Sequence, residues 1–154
     1  MGAELSFAPV VPSDREELIQ VLKEAFGGRY PLDEIVPDVD LAFTGHIFAY
    51  HFYTGKKDGK IVCAGALKKS GIEKDVWGIA WVSVLPGLQK QGYGRQIIGF
   101  LIDEFAKRRI KSGQGTLILV AQKDVFSFYT KLGMNFVDAS NGSRLYHKIV
   151  DRIQ

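Results

Sequence analysis

Apolar positions along this chain switch several times between a period of two and a period near 3.6, and each switch separates one element from the next. Residues 4–11 read as a first strand. Ser13-Asp14-Arg15-Glu16 comes next with capping-box spacing, in which Ser13 and Glu16 satisfy each other's free backbone donors at a helix start. Leu18, Ile19, Val21, Leu22, Ala25 and Phe26 then recur at helical spacing, and Gly27-Gly28 offers a left-handed stop, which predicts a helix of about 14 residues. Residues 29–45 carry two prolines and several acids, a pattern that admits one short helix and reads as a variable lid.

Residues 46–53 and 60–68 are β-rich runs separated by the turn signal Gly55-Lys56-Lys57-Asp58-Gly59, which predicts a hairpin. Residues 76–85 are apolar on both faces and belong in the middle of a sheet. Residues 92–110 carry one wide apolar stripe of Ile97, Ile98, Leu101, Ile102, Phe105 and Ala106, so this helix packs on the sheet. A short buried strand at 116–120, a helix at 124–132 ended by Gly133, and closing strands at 136–137 and 144–149 complete the order. The expected fold class is α/β (α+β).

Composition narrows the class. The 154 residues fit a single domain over 1–154, and 46% hydrophobic with 24% charged residues is a globular balance that excludes a disordered or fibrous chain. The longest apolar run, 76–85, is about half of what a bilayer span needs, so no membrane association is expected. The N-terminus lacks a basic region and an apolar signal core, which leads to an expected cytoplasmic location. The single Cys63 sits in KIVCAGAL, where a buried strand thiol is the plain reading and a nucleophile the less favoured one. A charge of +3, part of it in Lys107, Arg108, Arg109 and Lys111 at a helix end, is too small and too poorly interleaved with aromatics for a nucleic-acid face. The three histidines have no ligand spacing, so no metal is expected.

The candidate chemistry lies where the central strand runs through Pro86-Gly87-Leu88-Gln89-Lys90-Gln91-Gly92-Tyr93-Gly94 into the long helix. A helix start has amides without intrahelical partners and the positive end of the dipole, so it attracts an anion such as a phosphate. Glycines at 92 and 94 let the backbone approach a ligand, and Lys90 and Arg95 add charge beside it. A P-loop is excluded because neither glycine is followed by Lys-Ser or Lys-Thr. A dinucleotide fingerprint is also poor: Ile97 stands at the third glycine position and no acid closes the following strand.

Val84-x-Pro86-x-x-Gln89-x-x-Gly92-x-Gly94 instead resembles the acetyl-CoA loop of the GCN5-related N-acetyltransferase (GNAT) family. A second segment, Phe128-Tyr129-x-Lys131-Leu132-Gly133-Met134, is similar to the family's F-Y-x-K-L-G-F and lies at a typical separation of about 35 residues. The resemblance extends to the element order along nearly the whole chain, apart from 29–45. It implies a GNAT-like mixed, mostly antiparallel sheet of about six to seven strands, splayed at a cofactor cleft and flanked by three to four helices. It also implies acetyl-CoA as the acyl carrier, with coenzyme A as product, and a small-molecule or peptide amine as acceptor. Dimerisation is frequent in the family, although no segment here demands it.

Residue by residue, the resemblance places the pyrophosphate on the amides of Gln89, Lys90, Gln91, Gly92, Tyr93, Gly94 and Arg95. It places the pantetheine arm on backbone groups of Val82 and Val84, with Phe128 beside the cofactor. Gln122 stands where many relatives have an Asn contacting the pantetheine amides. Tyr129 is nominated as the acid that protonates the leaving thiolate, a role positioned proton transfer makes worth ~10²–10⁴ in rate; outside the motif it would be an ordinary amphipathic aromatic. Several relatives carry a basic Glu at the position of Gly78. His46, His51, Glu73 and Asp75 are the remaining base candidates: the two histidines would face opposite sides of one strand, and the two acids lie in the charged turn Gly71-Ile72-Glu73-Lys74-Asp75, where solvent exposure is expected. Trp77 and Trp81, four apart, should face one side, as acceptor wall or as core. Gly78 also leaves room for a second reading, a non-catalytic acyl-CoA-binding or regulatory module.

Overall fold

The computed structural model describes residues 4–71 and 73–154, with Lys123 by its backbone only. Strand β1 is Ser6–Pro9, followed by α1 (Arg15–Ala25), α2 (Leu32–Leu41), β2 (His51–Lys57), β3 (Lys60–Lys69) and β4 (Val76–Val84). Then come α3 (Tyr93–Glu104), β5 (Gln114–Gln122), α4 (Phe126–Lys131), β6 (Asn135–Ser140) and β7 (Ser143–Asp151). The strands form one seven-stranded sheet in the order β1-β2-β3-β4-β5-β7-β6. All pairs are antiparallel except β4 with β5, so the mostly antiparallel mixed sheet is present, with β4 at its centre.

Local chemistry moves several boundaries. The Ser13–Glu16 capping box does not form, because Pro12–Asp14 makes a 3-10 turn and Asp14 takes over the capping work: its Oδ2 accepts from the Val11 N–H at 3.1 Å. The helix then ends before Gly27 and Gly28, whose φ values of 57° and 80° give the left-handed stop. Residues 46–50 are not strand, since the Ala49 N–H closes a turn on the His46 carbonyl at 3.0 Å. Strand β2 therefore starts at His51 and runs through Gly55 to Lys57. Asp58-Gly59, with φ of 53° and 78°, makes the tight hairpin turn. The long stripe helix passes into a π-helical turn at Phe105–Arg109, where the Ile110 N–H reaches the Phe105 carbonyl at 3.2 Å.

Two apolar layers cover the sheet. Ile97, Ile98 and Leu101 of α3, with Phe105 of the π-helical turn, pack with Leu67, Leu117 and Leu119 on one face. Leu18 and Leu22 of α1 and Ile35 and Val39 of α2 pack with Phe52, Ala64 and Ala66 on the other. The lid segment thus contributes buried side chains although Pro37 stands inside its helix. Strand β3 is buried on both faces and carries Cys63, whose Sγ lies 2.5 Å from where a Cβ on Gly55 would sit. Burial pushes that thiol up to about 11, which leaves it an unreactive packing group.

Candidate functional site

Strand β4 contains the irregularity that shapes the site. Ala66 pairs with Ala80 and Ala64 with Ser83, so β4 has one residue more than β3 over this stretch. The extra residue is a β-bulge at Trp81, whose φ is +54°. Past a bulge, successive side chains exchange faces of the sheet. Trp77 accordingly packs in the α3-side layer while Trp81 packs against α1 and α2, so the two do not share a side as their spacing alone predicts.

Beside the bulge the sheet opens. Strands β4 and β5 pair only from Val76–Gly78 to Thr116–Ile118, and beyond Gly78 they separate. The Leu85 N–H donates to Val62 on β3 at 3.0 Å. By strand alternation the backbone groups of Val84 and Val82 turn to the other edge, where β5 has departed. Alternation therefore aims the main-chain donors and acceptors of Val82 and Val84 into the cleft.

The loop after β4 closes one end of this cleft. Gly87 and Gly92 both have φ of 88°, and Lys90 has φ of 65°. Gly92 serves as the helix cap with no side-chain bond, and the first amide tied into the helix is that of Gln96, which donates to Gly92 at 3.0 Å. Among the described residues nothing accepts from the amides of Gln89 to Arg95, so a row of backbone donors faces solvent at a positive helix end. The side chains of Gln89, Lys90, Gln91 and Arg95 are exposed. The ring of Tyr93 is buried in the core, leaving only its amide for a ligand. A Cβ on Gly94 would lie 3.3 Å from the Phe128 ring and 3.7 Å from Val84, so the missing side chain lets loop, strand and α4 meet.

Tyr129 is buried on α4, with its ring 5.1 Å from Phe128. Burial pushes its phenol up to about 12, which keeps the proton on the oxygen at any physiological pH. Gln122 is half-buried at the end of β5, opposite Ser143.

The structure gives each base candidate a distinct setting. His46 is exposed in the turn before β2, and its Nδ1 accepts from the Phe48 N–H at 3.1 Å. Because it is outside β2, the opposite-faces argument for the two histidines does not apply. His51 lies 5.6 Å from the Trp77 ring, at the end where β4 still pairs with β5. Burial, then the Arg109 charge, lowers its pKa. These two residues line a groove of ≈ 530 Å³ with Phe7, Tyr53, Phe100 and Glu104, remote from the loop. Glu73 is exposed, and Ile72 of the same turn lies outside the described residues. Asp75 is not exposed as its charged neighbours suggest: it is buried, accepts from the Lys111 N–H at 2.7 Å, and so anchors the connection into β5. At Gly78 a Cβ would meet nothing closer than 3.8 Å, so the position has room for a side chain it does not carry.

Sequence reasoning missed one carboxylate. Asp38 of α2 accepts from Trp81 Nε1 at 3.0 Å, which ties the lid helix to the bulge. Phe26 and Tyr30 meet the Trp81 ring edge to face at 5.4 and 5.2 Å. Arg29, from the same turn as Tyr30, reaches Asp124 before α4 at 3.8 Å. The only sequence signal was the acid-rich lid, which says nothing about which acid faces inward. Among the described residues no group of three or more His, Cys, Asp or Glu could hold a metal ion, and no helix is long and apolar enough to cross a membrane.

The family model described as Acetyltransferase (GNAT) family matches residues 15–134. No curated protein is similar enough in sequence to match. An acetyltransferase of the GNAT family from Staphylococcus aureus is similar in structure, with TM-score 0.75 and 14% identity over 95% of this chain and 99% of that one. The PaiA N-acetyltransferase of Thermoplasma acidophilum, solved with coenzyme A, gives TM-score 0.71 and 16% identity over 95% and 99%. N-acetylglutamate synthase of Neisseria gonorrhoeae, complexed with coenzyme A and N-acetyl-glutamate, gives TM-score 0.73 and 16% identity over 99% of this chain but 36% of that one. At such identities the likeness is one of fold.

Proposed function

The chain belongs to the GNAT family of acetyltransferases, and on that premise we propose that it moves an acetyl group from acetyl-CoA to a primary amine by direct attack within a ternary complex. The observation that carries this reading is the row of unpartnered amides from Gln89 to Arg95 at the end of an open cleft. Such a row fits the diphosphate of coenzyme A, and Lys90 and Arg95 add positive charge where that diphosphate would lie. Two structural relatives bound to coenzyme A share the fold.

In this reading the cleft-facing backbone of Val82 and Val84 bonds the pantetheine arm, as parallel strands bond one another. Gln122 offers its amide from the opposite wall, and Phe128 packs beside Gly94 under the cofactor. Acetyl-CoA supplies the activated thioester. The protein's own part is to fix that ester against the bulge, exclude water, and hold a proton on Tyr129 Oη for the departing sulfur. The neutral phenol suits this, because it gives a proton and does not compete for one. We take residues 1–154 to act as one domain.

Gly78 favours a second reading in which the fold binds acyl-CoA without turnover, since β4 brings no base of its own there. Thiol release from acetyl-CoA, monitored with a panel of primary amines, separates the two. Amine-dependent release supports transfer. Coenzyme A binding without release by any amine leaves only the binding module.

A further inference from the structure

On the α1 and α2 face a half-buried carboxylate stands among aromatic rings without a cation. Asp38 spends Oδ2 on the Trp81 indole at 3.0 Å, and among the described residues Oδ1 has no donor and no Lys or Arg lies within ion-pair reach. Phe26, Tyr30 and Trp81 form a mutually edge-on trio with centroids 5.2–5.4 Å apart, each partly open to solvent. Tyr50 adds a fourth ring, its phenol pushed up by burial and then by the Asp38 charge. Lys68 lies over the Tyr50 ring at 4.6 Å and makes no ion pair with the carboxylate.

Partly exposed aromatic rings and a carboxylate oxygen without a donor are complementary to an ammonium group. Along the chain the cluster adjoins the cleft wall: Trp81 is the bulge residue immediately before Val82, and Arg29 beside Tyr30 meets Asp124 just ahead of α4. We propose that this cluster is the acceptor subsite and selects a primary alkylammonium with no carboxylate next to its amine, with Asp38 Oδ1 as the recognising acceptor. It rests on the acetyltransferase reading and adds the acceptor class. An α-carboxylate on the acceptor would be brought against Asp38 and repelled.

Pentylamine and norleucine test this as a matched pair, since norleucine is pentylamine with an α-carboxylate. With saturating acetyl-CoA, kcat/KM should favour pentylamine by about tenfold or more. Asp38→Asn keeps an oxygen for the Trp81 indole but removes the charge; it should lower pentylamine kcat/KM about tenfold, mainly through KM, and leave coenzyme A affinity within about twofold. Equal use of both amines, or an unchanged KM in the variant, overturns the assignment. Pentylammonium offered to the coenzyme A complex, where no acetyl group is present to transfer and its N–H groups can still donate to Asp38, separates this outcome from failure of the acetyltransferase reading. If no amine turns over, calorimetric binding of that probe to the wild type and its loss in Asp38→Asn still supports the cluster, while no binding to the wild type overturns it.

Discussion

A phenol is protonated at every physiological pH, and burial pushes Tyr129 up to about 12. That keeps the proton in place but makes Tyr129 a weaker acid, which yields only as charge develops on a neighbouring sulfur. Replacing it with Phe removes the proton and little volume, so thiol release should fall about 10²-fold in kcat while coenzyme A affinity, read by calorimetry, changes less than about threefold. With the phenol near 12, the pH–rate profile should show no limb from Tyr129 between about pH 6 and 10. The same shift sets the sign for stability. A folded pKa above the unfolded one stabilises the fold below about pH 10 and loses that contribution as pH rises toward 12. Tyr129 could be singled out as a candidate from the sequence because a local motif carries it. Asp38 and Asp75 were not: Asp38 bonds Trp81 and Asp75 bonds Lys111, partners 43 and 36 residues away that no local pattern names.

At the scale of elements, the strand-to-helix loop and the long helix could be read because glycine placement and a 3.6 period are local signals. The bulge could not. Trp81 lies in an unbroken apolar run, and an extra residue shows only when β4 is set against β3. That one residue exchanged the face of Trp81 and so decided which tryptophan borders the lid. The β2 boundary failed for a related reason: the aromatic-rich run at 46–50 satisfies strand propensity, but the His46 carbonyl and ring capture the next amides as a turn. Gly94 offers the clean test at this scale. It lacks a positive φ, so Gly94→Val strains no backbone, but its side chain would press on Phe128 and fill the approach to the loop amides. Coenzyme A affinity should drop about tenfold or more, with the far-ultraviolet circular dichroism spectrum unchanged. Undiminished affinity would place the diphosphate elsewhere.

Across the whole molecule, β3, buried on both faces, and the central β4 bind two helical layers into one body, and the apolar run 76–85 made the central position of β4 foreseeable, though not the deeper burial of β3. The contact joining the layers at the sheet edge is polar and was not foreseen. Asp14 at the start of α1 accepts from Lys56 of β2 at 2.7 Å with its side chain nearly buried. Burial opposes its charge, but the bonds from Lys56 and the Val11 N–H hold its pKa below the ordinary carboxylate value. A lowered folded pKa stabilises above the unfolded value and fades as pH falls through the folded one. Asp14→Asn should therefore cost about 1–3 kcal/mol in urea unfolding at pH 7, and the difference from wild type should shrink below about pH 4. Cofactor binding by this fold depends on backbone donors between Gln89 and Arg95 serving a diphosphate. Calorimetric titration of the full chain with coenzyme A measures this most directly: saturable binding at one site per chain is the expected result, and the absence of saturable heat would contradict it.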